Sequence, residues 1–276
     1  MAPPDVVGET RVVPWEDFAQ LVAADSRYFP ETFVSSIFRG DAWVLKGALP
    51  LQLARDIVAK TIEWRAGRPG SFHKMLDGVP DFHRPIDLET GKAYSIRACK
   101  HSAYFFRWND DPLKVWPAIT ERWRVLKVAM GLRATAFEHS KPSDGPTDRI
   151  QVVRYPPKIG YLEPHRDAAS HQPCFISGYL SKRGVDYQGG GFYFVDKEGA
   201  PQFMEDELDV GDICVAHANL LHGVAPCDVD REPNWEATDG RWFLGLYSNA
   251  SDYEAKRDTS APVNIDIPGV RPEGVV

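Results

Sequence analysis

No apolar run in this chain approaches the roughly 18 consecutive residues that a membrane-spanning helix requires, because Pro, Gly or a charge interrupts every hydrophobic stretch. Membrane residence is not expected. Cysteine is scarce: Cys99, Cys174, Cys214 and Cys227 are widely spaced and form no C-x-x-C pair, a pattern that favours free thiols in a reducing, cytoplasmic setting. The amino terminus lacks a charged segment leading into an apolar one, so no export signal is expected either. Basic residues are outnumbered, 32 Lys and Arg against 39 Asp and Glu for a net charge of -7. Phosphate binding needs a concentrated excess of positive charge, so nucleic acid is not an expected partner. There is no internal repeat.

What the chain does have is enough material for a sizeable core: 276 residues, 43% of them hydrophobic and 26% charged. We read residues 1–276 as a single catalytic domain. Residues 1–149 form a mainly helical N-terminal elaboration, 150–250 a β-rich core, and 251–276 a C-terminal extension. Helices are predicted over Pro14–Ala24, from Pro50 with Leu53, Ile57, Val58 and Ile62 on one face, and from Asp111 or Pro117 to Met130. A strand is predicted at Trp43–Lys46, whereas residues 66–113, rich in Gly, Pro, His and aromatics, read as a long irregular region. From Ile150 the pattern changes to short β runs, Ile150–Tyr155, Phe175–Ser181, Gly191–Val195, Ile213–Ala216 and Arg241–Ser248. That is the pattern of an antiparallel barrel or jelly roll, with helices covering an outer face.

Within this core, His165 and Asp167 stand two residues apart. Side chains at i and i+2 of an extended segment project to the same side, so an imidazole and a carboxylate can reach one ion. A chance H-x-D somewhere in the chain has odds of roughly one in three by average residue usage, so the pair alone carries little. His222 supplies a third ligand at the far end of the run from Asp209, read as a turn that launches an apolar strand ending at this histidine. Two His and one carboxylate bind Fe(II) on one face and leave positions open for co-substrate and dioxygen, whereas structural zinc closes its four positions. His217 competes as the distal ligand but is expected to pack or hydrogen-bond beside the site.

In order, the Val-Arg-Tyr155-Pro-Pro-Lys-Ile-Gly-Tyr161 run, His165-Arg-Asp167, Gly-Tyr179-Leu, Gly189-Gly190-Gly191, the Val-Gly-Asp run, His222 and Arg241-Trp-Phe-Leu resemble the Fe(II)- and 2-oxoglutarate-dependent oxygenases, prolyl-hydroxylase-like branch. The resemblance covers residues 150 to 250. It implies a double-stranded β-helix (jelly-roll, cupin-like) core, mainly β, buttressed by the N-terminal helices. It further implies Fe(II) as cofactor, held by His165, Asp167 and His222, with 2-oxoglutarate and dioxygen as co-substrates. By the same resemblance Arg241 clamps the distal carboxylate of 2-oxoglutarate, a bidentate match for a guanidinium. The buried guanidinium would then have its charge compensated by the dicarboxylate. Arg231, nine residues after His222, is the rival for that role. Tyr155 and Tyr179 are placed inside the barrel near the co-substrate. If Tyr155 points inward, Gln151 and Val153 share its side and Arg154 points away.

The activity implied is a dioxygenase that hydroxylates an unactivated C–H bond, releasing succinate and carbon dioxide; an intact Asp167 favours hydroxylation over halogenation. A small-molecule substrate, an amino acid or specialised metabolite, is preferred because the N-terminal elaboration can enclose a compact molecule. A peptidyl hydroxylase is the alternative, ahead of a cupin-like metal enzyme that needs no 2-oxoglutarate and a noncatalytic jelly-roll module. The segment Cys99–Asn109 could supply substrate contacts, since it mixes aromatic walls with cations and amides; roles for His73, His83 and Arg84 are left open, as are oligomeric state and Tyr161.

Overall fold

The computed structural model describes residues 2–24 and 27–272. In chain order the elements are β1 (Thr10–Pro14), α1 (Trp15–Ala24), α2 (Tyr28–Phe38), β2 (Ala42–Lys46), α3 (Leu51–Arg65), β3 (Phe82–Ile86), the single turn α4 (Leu88–Gly91), β4 (Ala98–Phe106) and α5 (Trp116–Ala129). There follow β5 (Thr147–Tyr155), β6 (Tyr161–Arg166), β7 (Cys174–Tyr179), β8 (Gly191–Val195), β9 (Pro201–Phe203), β10 (Ile213–His217), β11 (His222–Ala225), β12 (Arg241–Asn249) and β13 (Ala261–Pro262). Among the described residues, no helix is long and apolar enough to cross a membrane.

The strands curl into one jelly roll. Its order is β1-β2-β10-β7-β12-β5-β4-β6-β11-β8-β9, with β3 beside β4 and β13 beside β6. Only β1 and β2 pair in parallel among these strands. β4 joins the two walls: Ala98 and Cys99 pair with β6, while the rest of the strand lies between β3 and β5. Strands from both sides of residue 149 therefore share one sheet.

Period-two alternation along the strands separates two cores. On the outer face, Ile150 and Val152 of β5 and Leu244 and Leu246 of β12 pack with Phe18, Phe33, Ile57, Trp123 and Leu126 from the helices. On the inner face, Val153, Tyr155, Phe175, Tyr179, Phe192, Phe194 and Phe243 form the core between the walls. The predicted helices are present. Pro50 sits just before α3 and a proline occupies the first turn of α5, where its missing N–H costs nothing.

Two expectations are corrected. Residues 66–113 are not a long irregular region, because they contain β3 and the nine-residue β4. Almost all of β4 is buried on both faces, so it lacks the apolar alternation by which strands are recognised. The strand that leaves Asp209 does not run to His222 either: β10 ends at His217, a turn closed by Leu220 N–H donating to His217 O reverses the chain, and His222 opens β11 in the opposite wall. The face predicted for α3 does meet the core, with Ile57 buried and Leu53, Val58 and Ile62 packed against it beside the buried Ala54 and Thr61.

Candidate active site

His165 and His222 are cross-strand partners in the β6–β11 ladder, and a β-bulge follows His222. Register thus brings two residues distant in sequence side by side, with ring centroids 4.3 Å apart. Each Nδ1 faces a backbone carbonyl at 2.8 Å, Glu163 O for His165 and Leu220 O for His222. Those carbonyls hold the proton on Nδ1 and leave each Nε2 lone pair free to bind a metal. Both Nε2 atoms converge on Asp167, just beyond the end of β6: His165 Nε2 lies 3.5 Å from Oδ1 and His222 Nε2 3.6 Å from Oδ2. The three residues offer ligand atoms all within 4.8 Å of one another. Octahedral bonds of about 2.1 Å at right angles put neighbouring donors about 3 Å apart, so little movement is needed to close on an ion.

Burial acts to raise the Asp167 carboxyl, but the two imidazoles outweigh it and hold it well below the usual carboxylate range. Burial, helped by His222, pushes His165 down. A deprotonated carboxylate and neutral imidazoles are the forms that ligate. Two further contacts hold Asp167: its backbone N–H donates to Ala218 O at 2.8 Å, and the Ser260 hydroxyl donates to Oδ1 at 2.7 Å. Ser260 arrives on the C-terminal segment, which β13 anchors to β6 opposite His165. His217 is apart from this group, with its ring against Phe38 and its Nδ1 accepting from Asn219 N–H.

Deeper in the barrel, Arg241 opens β12 directly opposite Tyr155 at the end of β5, and Tyr179 ends β7 opposite Phe243. The Arg241 guanidinium lies 5.7 Å from the Tyr155 ring and 5.3 Å from the Tyr179 ring. Arg241 Nη1 and both phenol oxygens are buried without a hydrogen-bond partner among the described residues. Buried polar atoms are ordinarily paired, so three orphans facing one region mark the place of a polar ligand. Burial pushes both phenols up, so they stay protonated and can donate.

Glu205 was missed from sequence. Its carboxylate accepts from Arg241 Nε at 2.7 Å, from the Tyr187 hydroxyl at 2.6 Å and from Phe192 N–H at 2.6 Å. The expectation that a dicarboxylate compensates Arg241 is corrected accordingly, because Glu205 already balances that charge and orients the guanidinium. Gly191 gives it room: at φ +99, a Cβ there would lie 2.4 Å from the Glu205 side chain. No local motif marks Glu205; the only available signal was that a buried Arg demands an acidic partner somewhere.

Arg231 is at the surface with its side chain 51% exposed, paired with Asp239 and Asp228. Arg154 points away from the inner face as expected and donates to the carbonyls of Asn234, Trp235 and Asp239. Tyr161 is buried outside the cavity. That cavity, of about 320 Å³, opens beside His165 and Asp167 and is lined by β3, β4, β5, β12 and the segments around Met75 and Asp258. Arg84 and the alternate residues Lys100, Tyr104 and Phe106 face it, so the segment Cys99–Asn109 does reach the site.

No protein-family pattern and no curated protein matches the sequence. Solved structures do match. A prolyl-4-hydroxylase from Pseudomonas putida aligns with a TM-score of 0.50 and 12% identity over 79% of this chain and 98% of that one. A full-length Neurospora crassa protein, solved in complex with alpha-KG and thymine, aligns with 0.51 and 14% over 90% and 88%. JOX2, in complex with 2OG, Fe and JA, aligns with 0.50 and 12% over 96% and 81%. The chain therefore has the jelly-roll fold of the 2-oxoglutarate- and Fe(II)-dependent oxygenases.

Proposed function

We propose that this chain is an Fe(II)- and 2-oxoglutarate-dependent dioxygenase that hydroxylates an unactivated C–H bond of a small molecule. The observation that carries the reading is the convergence of His165, Asp167 and His222 inside that jelly roll, two imidazoles and one carboxylate with no fourth His, Cys, Asp or Glu in the group among the described residues. His165, Asp167 and His222 would hold Fe(II). Arg241, aimed by Glu205, would bind the distal carboxylate of 2-oxoglutarate through Nη1, with Tyr155 and Tyr179 donating from their unpaired hydroxyls. Fe(II) with 2-oxoglutarate and dioxygen supplies the oxidising chemistry, releasing succinate and carbon dioxide as a hydroxyl group is delivered to carbon.

The protein's own contribution is positioning. The Glu163 and Leu220 carbonyls and the Ser260 hydroxyl fix the orientation of the three ligands, and Phe243 lines the cavity with its ring 5.5 Å from the Arg241 guanidinium. A cavity of about 320 Å³ is at the small end of the range for ligand sites and suits a compact molecule better than a peptide. Four buried free cysteines fit a reducing, cytoplasmic location, and the sharing of one sheet by both halves fits a single domain.

The test is an anaerobic titration of the purified protein with Fe(II) and 2-oxoglutarate, read as the visible charge-transfer band of their chelate. The band is expected at one equivalent of iron, and its absence would sink the reading. Prompt hydroxylation within a peptide panel would instead put a peptidyl hydroxylase first.

A further inference from the structure

Three cations line the cavity beside the proposed iron site without an acidic partner. Arg84 on β3, Lys100 on β4 and Arg149 on β5 all face it, and none forms an ion pair among the described residues. The Arg84 guanidinium lies 4.2 Å from the ring of Phe72 and 4.5 Å from that of Tyr94. Arg149 is held in the same way, 5.1 Å from Tyr104 and 5.2 Å from Tyr247, with Nη2 donating to Gln151 Oε1 at 3.3 Å. Nε of each arginine is buried and unpaired. The Lys100 amine has neither hydrogen bond nor ion pair among the described residues. Burial pushes it down to about 8, with Asp167 opposing that shift and Arg84 and Arg149 adding to it.

The carboxylates that share the cavity are already engaged. Asp252 accepts from Met75 N–H and pairs with Arg257 at 3.0 Å. Asp258 accepts from Ala169 N–H, Ser170 N–H and the Ser170 hydroxyl. Asp167 belongs to the His165–His222 group. What remains is an uncompensated positive wall in a chain whose net charge is -7. Half-buried charges without a counter-ion are costly, and rings on the guanidinium faces leave the edges to hydrogen-bond a ligand. Ala98, Leu162 and Phe243 add apolar surface to the same cavity, which His165 also lines.

Resting on the function proposed above, we infer that the substrate is a small organic oxyanion, bound through its carboxylate or phosphate by Lys100, Arg149 and Arg84 while its apolar body lies against Leu162 and Phe243 beside the metal ligands. The cations fix the anionic end of the molecule and so decide which of its carbons is presented to the iron site.

The test uses the full chain loaded anaerobically with Fe(II) and 2-oxoglutarate, so that the Arg241 pocket is filled before any other anion is added. Benzoate and phenylphosphonate serve as anionic probes and benzamide as the neutral control, with binding read as a shift in unfolding temperature. The wild-type protein is expected to be stabilised by at least one anion and not by benzamide, and Lys100→Met and Arg149→Met to weaken that binding at least about tenfold. Both variants should keep the charge-transfer band, which also shows that they fold. Benzoate against phenylphosphonate separates a carboxylate from a phosphate. Absence of anion-dependent stabilisation, or equal stabilisation of wild type and variants, overturns the inference. Loss of the band in the variants also overturns it, since these cations would then be holding 2-oxoglutarate. If wild type forms no band, the iron reading fails, yet the anion arm still reports through the temperature shift.

Discussion

The two faces of β5 and its neighbours treat polar groups in opposite ways. Asp148 points outward beneath the helices, where Lys127 pairs with it, Ser248 donates to it, and Lys127 also donates to Ala136 O. The adjoining Gln172, its Oε1 3.1 Å from the Ser248 hydroxyl oxygen, accepts from Trp123 and donates to Cys174 O and Leu246 O. That network is closed. One residue further along the strand, Arg149 points inward with an unpaired Nε, followed by Gln151 and then by Tyr155 with an unpaired hydroxyl. Closed networks hold a fold together, whereas open ones raise its energy unless a ligand completes them. The unfinished inner face, bordered by His165, Asp167 and His222, is where this chain is built to receive something.

Substitutions on each face sharpen that contrast, beginning with the largest effect. His165→Ala or Asp167→Ala should lower Fe(II) affinity by more than about a hundredfold, beyond the loss usual for an outer-shell contact, and abolish the charge-transfer band with little change in unfolding temperature. On the outer face, Lys127→Ala leaves Asp148 buried and uncompensated. It should cost about 3–5 kcal/mol in denaturant unfolding while the band of the folded fraction stays intact. A stability loss in the iron-ligand variants as large as in Lys127→Ala would erase the distinction between the faces.

Arg241→Ala should weaken 2-oxoglutarate binding by roughly 30-fold or more, with iron binding unaffected. Glu205→Gln should weaken it less, since the guanidinium remains but loses the charge that aims it. Titration of 2-oxoglutarate followed by the band measures both, and unchanged affinity in Arg241→Ala would remove Arg241 from the co-substrate site. Ser260→Ala removes one hydrogen bond from Asp167, worth about 1 kcal/mol, and should lower iron affinity about fivefold without altering the fold.

A last prediction concerns pH. His83 Nε2 and His101 Nδ1 lie 3.2 Å apart behind the cationic wall, and burial, reinforced by nearby arginines, pushes them down to about 4 and about 3. Unfolded, both take up protons near 6.5, so the unfolded state binds more protons in the window below that value and folding stability falls as pH drops toward about 4. Thermal unfolding across that range should show the decline, and His83→Gln should lessen it. A flat profile in wild type would mean that this pair carries no cost on protonation.

Much of the site was legible because its chemistry is carried by residue type and order. His165, Asp167, His222 and Arg241 stand in sequence as the candidate ligands and the candidate clamp, and alternation from Tyr155 correctly assigned Gln151 inward and Arg154 outward. β3 and β4 were hidden, since β4 is buried on both faces and shows no alternation while β3 carries Pro85 in a half-buried polar run, and with them went the cationic wall. Glu205 and Ser260 carried no signal, as neither lies in a recognisable pattern and each acts on a residue far along the chain.

By itself, then, the sequence determined which atoms could bind a metal and which side of each strand they share, because side-chain chemistry and the two-residue period of a strand are local properties. Only the tertiary structure decided that His222 pairs in register with His165, that Glu205 balances Arg241, that Ser260 reaches Asp167 from 93 residues away, and that Arg84, Lys100 and Arg149 form one wall. Those meetings depend on strand register and chain reversal, which are set by the packing of the whole jelly roll rather than by any segment of it.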